Sequence, residues 1–196
     1  MSEITFGQLI QSWHTSLDEN KNHGYRARLR RAESPEDILL TDAFFHFLEW
    51  MKPLTEWSEK TPILTKASIA GAVAGVKANK QTASRINPSK NTTEATVRYA
   101  SFAEQLATPI DGKSKAPMSE LRFQQLQKST SPDDFYRRIL RAIRLLDGNV
   151  NVVSLAYDIA HWHREFNQIA DYRNPKDRLA VRWATDYFTA LPKNTD

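Results

Sequence analysis

The chain has 196 residues, 40% of them apolar, a formal net charge of +4 and no cysteine. That size suits one large domain or two small ones sharing a core, and the missing thiols exclude disulfides and thiolate chemistry, which points to a reducing cytoplasm. Neither a signal-peptide pattern in MSEITFGQLI nor an apolar run of bilayer length is present, so a soluble protein with no membrane partner is expected.

Apolar periodicity is helical along nearly the whole chain, with no sustained strand alternation. Helices are expected at about 4–18, 22–32, 35–51, 62–78, 93–107, 119–128, 132–147, 152–171 and 175–190, with boundaries good to about two to four residues. The fold class is therefore all-α: a helical N-terminal half, residues 1–108, packed on a C-terminal four-helix bundle, residues 119–196. Two helix starts share a signature, Ser34-Pro35-Glu36-Asp37 and Ser131-Pro132-Asp133-Asp134. In each, serine caps the first amides, proline suits the first helical position, and the third following residue completes a capping box. Gly148 is the expected C-cap of the second. The alanine- and glycine-rich stretch 67–76 suits close helix packing, and polar segments 79–93 and 107–119 are expected to be loops.

Charge is unevenly distributed. Residues 112–144 hold eight basic side chains against three acids, leaving 19 basic and 20 acidic residues elsewhere. On a helix over 132–147, Phe135, Ile139, Ala142, Ile143 and Leu146 share one arc while Arg137, Arg141 and Arg144 share the opposite one, with Arg138 beside it. The stripe runs for about 10 Å, comparable to a few backbone phosphates. A solvated face normally mixes signs; repeated arginines suit bidentate phosphate contacts instead. Arg122 and Lys128 extend the basic surface from the preceding helix. A second cluster, KNHGYRARLRR at 21–31, has five basic residues and no acid, although Glu33, Glu36 and Asp37 follow and are candidates to neutralise it.

Other chemistry is weakly signalled. Asp158, His161 and Glu165 share one helical face and define the rival reading, an all-α metal-dependent hydrolase, but a second matching motif is lacking. Gly71, Gly75 and Lys77 lack the GK[ST] ending of a phosphate loop, and no nucleophile with a histidine partner is identifiable. The five tryptophans are read as core or interface residues. No catalytic residue, metal or cofactor is expected.

The order RARLRRAESPEDI, MSELRFQQLQKSTSPDDFYRRILRAIRLL, LAYDIAHWH and VRWATDYF resembles the CasB family, the small subunit of the type I-E CRISPR surveillance complex Cascade. The most specific piece is S-E-x-R-F-x-x-L at Ser119–Leu126. The resemblance implies a non-catalytic all-α subunit that forms a head-to-tail homodimer, packs on other Cascade subunits, and contacts the crRNA and target duplex region and the displaced single-stranded DNA, stabilising the R-loop in antiviral defence. By motif position it assigns nucleic-acid contact to Arg30, Arg31, Arg122 and Arg137 or Arg138. Where relatives commonly carry arginine at the end of the Arg122 helix this chain has Lys128, a point charge without bidentate geometry.

Overall fold

The computed structural model describes residues 4–81, 83–84, 98–169 and 174–192. Helix α1 is Phe6–Ser16, opened by a Thr5/Gln8 capping box and burying Leu9, Ile10 and Trp13. Helix α2 is His23–Arg31 and buries only Leu29. The helix expected at 35–51 is two: α3, Pro35–Leu39, and α4, Asp42–Met51. The break follows from Thr41, whose side chain accepts from Phe44 N and starts a new helix, although the apolar pattern runs on across it. A short helix that the periodicity did not predict, α5 at Thr55–Lys60, has no buried residue to mark it.

Helix α6, Ile63–Gly75, is buried on nearly every side, from Thr65 through Ala74 with the exception of Lys66. An apolar surface all round requires neighbours all round, and α1, α2, α3, α4 and two later helices surround it. Its small residues let them come close: a Cβ on Gly71 would lie 2.2 Å from Tyr136 Oη and 2.3 Å from Ile38 Cδ1. Close packing at 67–76 is thus realised at Gly71.

Two-residue strands follow: β1 (Ala78–Asn79), β2 (Ala83–Ser84) and β3 (Arg98–Tyr99), with β2 and β3 antiparallel. Among the described residues of the helix expected at 93–107, helix begins at Phe102, where Ser101 forms a capping box with Glu104; this is α7, Phe102–Ala107. The start of that expected helix, and most of the expected loop 79–93, lie outside the described residues. Helix α8 is Glu120–Gln127 and α9 is Pro132–Leu145; Ser131 accepts from Asp134 N as expected, but Asp134 accepts from Thr130 N and does not close the box on Ser131 N.

The end of α9 differs in detail from expectation. Asp147 N bonds to Arg144 O at 3.0 Å and Gly148 N to Ile143 O at 3.0 Å, the paired bonds of a Schellman motif. The left-handed closing residue is therefore Asp147, with φ of 54°, and Gly148 follows it at φ of 80°. Glycine is required at 148 for a second reason, since a Cβ there would meet Lys77 Cγ at 2.7 Å. Gly148 O accepts from Lys77 N and Ala78 N, and β1 pairs in parallel with β4, Asn149–Val150. Helix α10, Val152–Phe166, packs on α6 and α1; after a single turn at Pro175–Asp177, α11, Leu179–Ala190, packs on α7. One continuous apolar cluster includes residues of α1, α6, α9, α10 and α11.

Gly71→Ala should destabilise the protein by about 1–3 kcal/mol in denaturant unfolding, because the buried side chains of Tyr136 and Ile38 must give way. Tyr136 Oη is buried without a hydrogen-bond partner, so Tyr136→Phe should cost little, and the double variant should recover part of the Gly71→Ala loss. A neutral Gly71→Ala would contradict the packing described.

Candidate nucleic-acid interface

Helix α9 divides as its sequence requires. Phe135, Tyr136, Ile139, Ala142 and Ile143 are buried, and Arg137, Arg141 and Arg144 are exposed. Phe135 stacks on Trp162 with centroids 4.1 Å apart, which seats the helix against α10. The four arginines are not equivalent, however. Asp134 accepts from Arg138 Nε at 2.7 Å, and Asp133 lies 3.8 Å from Arg137. The two acids that open the helix therefore engage its first two arginines across one turn. Arg141 and Arg144 have no carboxylate within 4.0 Å among the described residues, so the uncompensated charge lies toward the C-terminal end.

A groove of about 370 Å3 runs between α8 and α9, lined by Arg122, Arg138, Arg141 and Arg144 over Met118, Leu126 and Leu145. Arg144 also borders a second space of about 240 Å3, which holds Arg30 and Lys77. It borders a third of about 590 Å3, which holds Lys113 and Lys115. Five of the eight expected contact residues thus line three grooves that share Arg144. Arg31, Lys128 and Arg137 are exposed but do not line these three grooves.

The 21–31 cluster separates by its partners. Arg26 is mostly buried, pairs with Asp18 and donates to the carbonyls of Ala74 and Val76, which ties α2 to the end of α6. Arg28 pairs with Asp42 at 3.3 Å. Neutralisation thus comes from Asp18 and Asp42, while Asp37 caps α3 through Ser34. Arg30 and Arg31 remain exposed. Lys77, Lys113 and Lys115 were not among the expected contact residues. The last two fall inside the basic 112–144 window, but Lys77 is placed only by the pairing of β1 with β4.

The residues of the hydrolase reading do different work. Trp183 Nε1 donates to Asp158 Oδ2 at 2.8 Å. Arg182 Nη1 lies 2.9 Å from His161 Nδ1, which puts the imidazole proton on Nε2, 3.1 Å from Glu165 Oε1; that same oxygen accepts from Leu179 N. The three side chains fasten α10 to the start of α11, and among the described residues no group of three His, Cys, Asp or Glu side chains is arranged to hold a metal. Burial pushes the Asp158 carboxyl up to about 7, with Trp183 and Arg182 opposing, and pushes His161 down. A serine–histidine contact that sequence reading did not find does exist, Ser68 Oγ to His163 Nε2 at 3.1 Å. Both residues are 1% exposed and burial holds His163 down at about 4, so the pair is a core hydrogen bond closed to substrate. Trp13, Trp162 and Trp183 are buried, and Trp50 and Trp57 pack half-buried against the core.

Fold and surface together define an all-α protein with a convergent cationic face and, among its described residues, no assembled metal cluster. The family model for CRISPR-associated protein Cse2 matches residues 25–188, and the chain belongs to that family, the CasB small subunit of type I-E Cascade. Membership makes it a Cascade subunit and implies the other Cascade subunits as partners. No curated protein and no solved structure matches the chain. No helix among the described residues is long and apolar enough to cross a membrane.

The buried Asp158 predicts a pH signature. In the unfolded chain it ionises near 3.8, in the folded chain near 7. Raising the pH between these values draws the proton from the unfolded chain first, so wild type should lose stability relative to Asp158→Asn across pH 4 to 7. The loss is at most about 4 kcal/mol. His163 acts oppositely, losing its contribution as pH falls from 6.5 toward 4, but it is common to both proteins and cancels in the difference. Paired urea melts at pH 4.5, 6 and 7.5 check this; a pH-independent difference would mean that Asp158 ionises normally.

Proposed function

We propose that the chain is a non-catalytic subunit that holds nucleic-acid backbone within the type I-E surveillance complex. Its ligands are the crRNA and target region and the displaced non-target strand, gripped without regard to sequence, so that the R-loop is stabilised for antiviral defence. The observation that carries this reading is Arg144, at which three grooves meet that hold seven further cations against one acid, Asp147. In this reading region 119–196 carries the main basic surface and region 1–108 supplies its rim through Arg30 and Lys77. The protein works in the cytoplasm, as a homodimer within the complex.

Physical chemistry favours phosphate as the ligand. Arginines that face one groove repel one another, and an anion relieves that repulsion while releasing the counterions condensed on a nucleic-acid strand. Phosphate contacts fix position and carry no sequence information, which suits a subunit that must accept any invading DNA. Exchange of a DNA duplex for an RNA–DNA hybrid is nearly balanced in free energy, so modest holding of the displaced strand shifts the outcome.

Arg141→Ala/Arg144→Ala should weaken single-strand binding, by the subunit or by assembled Cascade on its target, equally for different base sequences. Two lost phosphate contacts should flatten the slope of log affinity against log salt by about 1.4. Thermal stability should move by less than about 0.5 kcal/mol, since both side chains are exposed. Failed incorporation into Cascade with unchanged strand affinity would instead make these arginines a protein-docking surface. Normal incorporation with an unchanged slope would make them a solvated face.

A further inference from the structure

The groove between α8 and α9 has apolar residues that phosphate contacts do not use. Met118 and Leu126 are 3% and 1% exposed, Leu145 is half-buried, and all three line the same 370 Å3 space as Arg122, Arg138, Arg141 and Arg144. A phosphodiester lowered onto them would shed water without gaining a partner. A nucleobase is different: its faces are apolar, its edges polar, and a guanidinium plane stacks on it favourably. The space also falls within the size range of small-molecule sites, about 300–1,000 Å3.

We propose that this groove takes one unstacked nucleobase of a bound single strand. The base lies against Leu145, over the floor that Met118 and Leu126 close, and stacks on the Arg138 guanidinium, while Arg141 and Arg144 hold the adjoining phosphates. Arg138 suits the stacking role because Asp134 fixes its Nε at 2.7 Å, so little side-chain freedom remains to be lost on binding. Gln125, also in the lining, offers an amide with both donor and acceptor, which meets a polar edge of any base. Binding is then base-dependent yet tolerant of sequence, as stacking sites are.

The inference rests on the backbone-holding reading, and one experiment separates the two. The full chain is titrated with fluorescently labelled oligothymidylate and with an oligomer of equal length in which every nucleotide is abasic, over a range of salt. The charge is the same; only the bases differ. The base-free oligomer should bind about ten- to a hundredfold more weakly with the same salt slope, the range expected for loss of a stacked base. Equal affinities with a normal slope overturn the base site and leave the backbone reading standing, whereas no binding of either oligomer at low salt overturns both. Leu145→Gln should erase the preference for thymidylate without changing affinity for the base-free oligomer, and Leu145→Met should retain it, each checked for native melting. A preference that survives Leu145→Gln places the base elsewhere and overturns the assignment.

Discussion

The close contact of Gly71 with Tyr136 and Ile38 governs the rest of the molecule. Helix α6 carries almost no polar surface, and at Gly71 its backbone comes within reach of side chains from both α3 and α9. With the apolar arc of α9 spent on that contact and on Trp162, its other arc can only face outward. The exposure of Arg141 and Arg144 is thus a consequence of core packing. Interiors at crystal-like density transmit such constraints, because a side chain displaced by an ångström has nowhere to go.

A second constraint assembles the cations. The Schellman turn after Leu145 sends the chain back so that Gly148 O receives Lys77 N and Ala78 N, which brings the end of α6 beside the end of α9. Arg30, Lys77 and Arg144 come from positions up to 114 residues apart yet border one space. Exposed ion pairs elsewhere, such as Lys60 with Glu56, hold nothing together of comparable importance, since a solvated pair is worth about 0–1 kcal/mol. At Arg141 and Arg144 what matters is the lack of pairing, which leaves attraction available to an outside anion.

Local signals in the sequence carried much of this. Ser34 and Ser131 start helices where the capping pattern says, and α9 divides into core and arginine faces as a 100° rotation requires. What was not legible depended on distant partners. Asp18 and Asp42 claim Arg26 and Arg28, and only tertiary packing brings them there. Thr41 splits a helix whose apolar pattern continues, because one side-chain cap outweighs a periodicity that both conformations satisfy. Lys77 reaches the interface through a two-residue parallel pairing too short to leave a pattern. Asp134 was legible as part of a helix start, but the ion pairs of Asp133 and Asp134 with Arg137 and Arg138, four residues on, shift the free charge toward Arg141 and Arg144.

The central claim is that the unpaired arginines around Arg144 hold the phosphates of nucleic acid. Arginine-selective modification with phenylglyoxal, mapped residue by residue by mass spectrometry with and without saturating single-stranded DNA, tests it directly. The account predicts protection of Arg30, Arg122, Arg141 and Arg144, while Arg28, paired with Asp42, and Arg164, exposed on α10 away from the three grooves, are modified to the same extent in both samples. Protection centred on Arg28 or Arg164, or none at Arg141 and Arg144, would contradict it.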